Sequence, residues 1–157
     1  MLKLNIISNN ELEIYLYYNI CNIDFKDEES IVKFLKKLFV KLDKYYDLKI
    51  EGYYDINIFI DEFYGIVLKL KKEDFEYYDY YDKQVDLKIT VNNNRFVFLL
   101  KNYDILNCNC DIYNYLNNIY LLPKEKLSYI EIANLMELTE IIYNSKDILS
   151  KGMRMKS

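Results

Sequence analysis

The chain has 157 residues, a formal charge of -4, no histidine, 3 glycines and 1 proline, set against 18 tyrosines and 8 phenylalanines. Without imidazole it lacks the side chain that most often moves protons near neutral pH, and with so few glycines it has little from which to build a phosphate-cradling loop. Its acidity repels a phosphate backbone unless a local basic patch forms, while 52% hydrophobic and 29% charged residues place it among globular chains.

Alternating apolar residues open the chain. Leu2, Leu4 and Ile6 share one strand face, Ser8-Asn9-Asn10 turns, and Leu12, Ile14 and Leu16 return. Asparagine tolerates the left-handed backbone that tight turns demand, so this reads as a hairpin. From Glu28 to about Tyr46 the period becomes helical, with Ile31, Phe34, Leu35, Leu38 and Leu42 on one stripe, Asp27 as cap, and Lys33, Lys36, Lys37 and Lys41 on a solvated outer face.

A second hairpin sets Ile56, Ile58 and Ile60 against Ile66, Leu68 and Leu70 across Asp61 to Gly65. A third is expected to pair Val85, Leu87, Ile89 and Val91 with Phe96, Phe98 and Leu100 across Asn92-Asn93-Asn94. A fourth sets 112–115 against 119–122 across Asn117-Asn118 and ends at Pro123. A helix from Lys124 or Ser128 to Leu138 should bury Leu127, Ile130, Leu135 and Leu138. A short strand then covers 140–143, and the basic tail from Lys151 is expected to fray. The fold class is therefore α+β, a mainly antiparallel sheet built of hairpins with two helices packed on one side. No Gly/Ser/Pro-rich linker interrupts it, which predicts one domain over 1–157 or two docked lobes, 1–72 and 83–157.

Cys21, Cys108 and Cys110 are an odd set, which suits a reducing cytoplasm and predicts no disulfide. No uncharged apolar stretch approaches the roughly 20 residues of a spanning helix, and no membrane partner is expected. Cys108-x-Cys110 offers too few ligands for structural zinc and no histidine completes it, so no metal or other cofactor is expected. Asn, Ile, Lys and Tyr are raised together, as in AT-rich genomes of bacteria or phages, so many tyrosines serve the core equally well.

One segment departs from any clean period: Glu73-Asp74-Phe75-Glu76-Tyr77-Tyr78-Asp79-Tyr80-Tyr81-Asp82, with five carboxylates and no base. Aromatics anchor protein interfaces and carboxylates steer a basic partner, so Phe75, Tyr77, Tyr78, Tyr80 and Tyr81 are candidate docking residues, fringed by Glu73, Asp74, Glu76, Asp79 and Asp82. The same segment packed inward with its acids wet would be structural only. Asp86-Leu87-Lys88 puts a carboxylate and a lysine on one sheet face, the pair that metal-dependent nucleases use. Asp47-Leu48-Lys49 repeats that spacing where no site is suggested.

Met1-Leu2-Lys3-Leu4 leading through Ile7-Ser8-Asn9-Asn10 into Leu12, then the helix and the hairpin with Gly65-Ile66-Val67-Leu68, resembles the first domain of MecA-type adaptor proteins. Asn118-Ile119-Tyr120-Leu121-Leu122, the following helix and Ile148-Leu149-Ser150-Lys151-Gly152 are similar to the close of their second domain. The resemblance implies binding of a protein partner, such as a AAA+ unfoldase, without catalysis. The reading is a noncatalytic protein-interaction module, adaptor or inhibitor, in the cytoplasm, with no direct nucleic-acid contact. The alternatives are a metal-dependent nuclease or phosphoryl hydrolase centred on Asp86 and Lys88, and an acidic nucleic-acid mimic.

Overall fold

In a computed structural model, residues 2–17, 24–73, 86–101 and 109–155 are described, with Asp86 by its backbone alone. Alternation and turn chemistry produce the first hairpin as expected: β1 (Leu2–Ile6) pairs antiparallel with β2 (Glu11–Tyr17), Leu4 opposite Ile14. Helix α1 (Glu28–Tyr46) starts where the Asp27 carboxylate accepts a hydrogen bond from the Glu29 backbone N–H at 3.3 Å. It ends at Asp47, whose φ of 51° allows the Leu48 N–H to reach back to the Leu42 carbonyl at 3.1 Å. Two long strands follow, β3 (Tyr53–Asp61) and β4 (Gly65–Glu73), and then β5 (Asp86–Asn93). The first sheet has the order β1-β2-β4-β3-β5.

The third hairpin expected from sequence does not form. Strand β5 lies beside β3 in the first sheet, while β6 (Val97–Leu100) belongs to a second sheet with β7 (Cys110–Tyr115), β8 (Asn118–Pro123), β9 (Thr139–Ile142) and β10 (Met153–Met155), in the order β10-β7-β8-β6-β9. Alternation identifies a strand but not its neighbour, and here Asn92 to Asn94 do not close a turn. The Asn94 N–H donates instead to the Ile60 carbonyl at 3.1 Å.

What draws the chain there is the buried carboxylate of Asp61. One oxygen accepts from the Phe63 and Tyr64 N–H groups at 2.6 and 3.0 Å, the other from the Phe96 N–H at 2.6 Å and Arg95 Nε at 3.3 Å. Arg95 also donates to the Pro123 carbonyl at 2.6 Å and lies over the Phe63 ring, and the Ser145 hydroxyl donates to the Arg95 carbonyl.

Helix α2 (Tyr129–Leu138) is capped by Ser128, whose hydroxyl accepts from the Glu131 N–H at 3.2 Å. It buries Ile132 and Leu135, whereas Ile130, expected in the core, is 72% exposed. The reason is phase: Ile132 and Leu135 set the inward face, and Ile130 lies well around the helix from them. A third helix, α3 (Lys146–Lys151), joins the two expected, and the tail that should fray is ordered as β10 against β7.

Close packing divides the chain into two compact units, 1–58 with 68–91, and 59–67 with 92–157. Leu12, Ile14, Tyr54, Ile56, Ile58, Leu68 and Leu70, with the buried α1 stripe of Ile31, Leu35, Leu38, Phe39 and Leu42, supply the core of the first. In the second, Val97 and Tyr120 pack with Ile148 of α3 on one sheet face. On the other face Phe98 and Pro123 meet Tyr64, Leu127 and Ile132 so closely that no water molecule fits between them.

The structure also corrects the cysteine reading. Cys110 is disulfide-bonded, its partner lying outside the described residues. An odd count leaves one thiol over without preventing the other two from pairing.

Replacing Asp61 by alanine strands four donors, three of them backbone amides that neighbouring strands cannot re-pair. A loss of about 3–5 kcal/mol in urea denaturation is expected, with Asp61→Asn recovering part of it. Burial raises the Tyr54 phenol above its ordinary value, an effect opposed by a backbone hydrogen bond from Glu51 and aided by the Glu51 charge. The folded state therefore holds that proton more tightly than the unfolded chain, so stability is unaffected by Tyr54 below about pH 10 and falls as pH rises beyond it. Urea midpoints measured from about pH 8 to 11 should show that fall, and Tyr54→Phe should shrink it.

Candidate protein-interaction site

Cross-strand partners in a sheet point to the same face, so the second sheet can be read in rows. Ile141 is opposite Phe98, Phe98 opposite Leu121, Leu121 opposite Ile112 and Ile112 opposite Met155. One apolar row thus crosses all five strands. Ile141, Phe98 and Leu121 are buried, Ile112 is half-buried, and Met155 is exposed. The adjacent row runs from half-buried Ile119 through Asn114 to Met153, which is 73% exposed. Exposure thus rises toward β10, where half-buried Ile112 and Ile119 and exposed Met153 and Met155 form an apolar strip.

Position and geometry of the strip come from local chemistry. Gly152 ends α3 with its N–H on the Ile148 carbonyl at 2.8 Å, and a Cβ there would collide with that same carbonyl oxygen, so only glycine lets the chain pass directly from α3 into β10. On the reverse face Arg154 donates to Asp111 at 2.8 Å, an ion pair shared with Lys124 at 3.5 Å, which holds β10 in register. Among the described residues β10 pairs with β7 alone, and its outer side is a sheet edge.

At the end of the β7–β8 hairpin the turn falls on Leu116 and Asn117, with φ of 50° and 64°, one residue earlier than the Asn117-Asn118 turn read from sequence. A two-residue turn with both φ positive favours Asn or Gly. Leu116 instead adopts a backbone costing about 1–2 kcal/mol for an L-residue, and its side chain is 76% exposed. It gains nothing from burial within the described residues. It lies two residues from Asn114, the partner of Met153, and so adds an apolar knob beside the strip.

Of the segment singled out in sequence, only Glu73 is described, half-exposed at the end of β4; Asp74, Phe75, Glu76, Tyr77, Tyr78, Asp79, Tyr80, Tyr81 and Asp82 lie outside the described residues. Lys88 is exposed on β5 and the Asp86 side chain is outside the described set. Among the described residues no group of three or more acids or cysteines is gathered as a metal site. No helix among them is long and apolar enough to cross a membrane. The strip itself was missed because Met153 and Met155 follow a basic run that reads as a tail. The signal that could have found it is their period of two after a helix-ending glycine.

Comparisons of the chain with family models, with curated proteins and with solved structures found no match.

Leu116→Asn should raise stability by about 0.5–1.5 kcal/mol in urea denaturation, since it relieves the turn and removes no buried contact. A loss instead would show that Leu116 packs against the protein's own core.

Proposed function

We propose that the protein is a noncatalytic interaction module that binds a protein partner through the open strip on its second sheet. The observation that carries this reading is the continuous apolar row from Ile141 to Met155, dry at one end and exposed at the other. A partner strand added at the β10 edge would extend the hydrogen-bond ladder and continue the row with its own apolar side chains. Methionine suits this role, since its flexible thioether adapts to irregular partners. Leu116, held exposed at a backbone cost, adds an anchor at one end.

An adaptor or inhibitor acting on a larger assembly is the form of this reading that the MecA-type resemblance favours, with the acidic aromatic segment 73–82 steering the partner by charge. A cytoplasmic setting belongs to the same proposal. The Cys110 disulfide weighs against it, because paired thiols rarely persist where glutathione keeps cysteines reduced.

Affinity capture followed by mass spectrometry should recover a partner with the wild-type chain and lose it with Met153→Ser/Met155→Ser, at an unchanged thermal transition. Capture lost only when Tyr77, Tyr78, Tyr80 and Tyr81 become serine would move the site to the acidic segment. Capture by every variant would refute both.

A further inference from the structure

We infer that the outer face of α1 binds single-stranded nucleic acid, its lysines on phosphates and Tyr45 at its C-terminal end on a base. The net charge of the chain opposes such binding unless basic residues gather locally, and α1 gathers them. At 3.6 residues per turn, Lys33, Lys36, Lys37, Lys41 and Lys44 fall within an arc of about 140° on the side away from Ile31, Leu35, Leu38 and Leu42. The row is about 16 Å long, and Lys33, Lys37, Lys41 and Lys44 lie roughly one turn apart, comparable to the separation of phosphates along an extended strand.

Three observations separate this row from an ordinary solvated face. First, Lys33, Lys37 and Lys41 follow one another at four-residue steps, so each repels the next across a helix turn at a cost of a few tenths of a kcal/mol per pair. Second, among the described residues none of Lys33, Lys36, Lys37 and Lys41 has an ion-pair partner, although carboxylates outnumber bases in this chain; Glu29 inside the arc and Asp43 at its margin do not bond to them. Third, Tyr45 flanks the row about 40° beyond Lys41 and is 68% exposed, with the Lys44 ammonium 5.2 Å from the centre of its ring.

A charged track beside exposed aromatic rings is the arrangement that holds single strands without reading sequence, since every base has a face to stack. An acidic protein would satisfy the lysines but leave the ring idle. A duplex keeps its bases stacked inside and offers the ring nothing. Single-stranded nucleic acid is the polyanion that engages both.

The test is fluorescence anisotropy with a labelled oligothymidylate, its duplex with oligoadenylate, and inorganic polyphosphate as competitor. The single strand should bind at low salt and weaken with a log–log slope near −3, about 0.7 for each of four neutralised phosphates. Lys33→Gln/Lys37→Gln/Lys41→Gln should weaken binding at least tenfold and flatten the slope by about 2, without lowering the thermal transition, because repulsion is removed. Tyr45→Ser should weaken the oligonucleotide about tenfold and leave polyphosphate unaffected. Absence of binding at low salt, equal binding by the lysine variant, preference for the duplex, or a tyrosine variant that binds the single strand as well as the wild type would each overturn the proposal.

Discussion

A single buried carboxylate decides where the middle of this chain goes. Asp61 accepts hydrogen bonds from Phe63 and Tyr64 in its own turn and from Arg95 and Phe96 more than thirty residues later, so one side chain both closes a hairpin and fixes the entry to the second sheet. A charge taken from water is tolerable only when its lone pairs are satisfied, and here two segments satisfy them together. The Arg95 guanidinium then passes the constraint on to Pro123 at the end of β8, and the Arg95 carbonyl passes it to Ser145, just ahead of α3. Much of the second unit is thereby placed around one polar centre, with Tyr64, Phe96 and Phe98 packed beside it.

Local pattern revealed the elements well and their partners poorly. Asp27 and Ser128 announce their helices because capping needs only neighbours two or three residues away, and the β1–β2 hairpin is legible because asparagine marks its turn. The separation of β5 from β6 was hidden because it depends on Asp61, a residue that looks like any other turn former in sequence. Ile130 was misplaced by reading hydrophobicity without helical phase. The apolar strip was illegible since exposure is a property of what fails to cover a residue, and nothing in Met153 or Met155 themselves records that.

The two surfaces proposed for binding rely on different physics. The strip on the second sheet is apolar and non-directional, drawing on buriable area and an open strand edge. The α1 face is long-ranged and easily screened. Residues 73–82 add a charge of the opposite sign to that of the α1 lysines.

Residues 59–67 belong to the second compact unit although the first unit's chain runs on both sides of them. Neither unit is therefore a continuous stretch of sequence, and no single scission can excise one intact. A fragment cut between residues 74 and 85 would carry away the Asp61 turn and leave the other fragment without the group that receives Arg95 and Phe96.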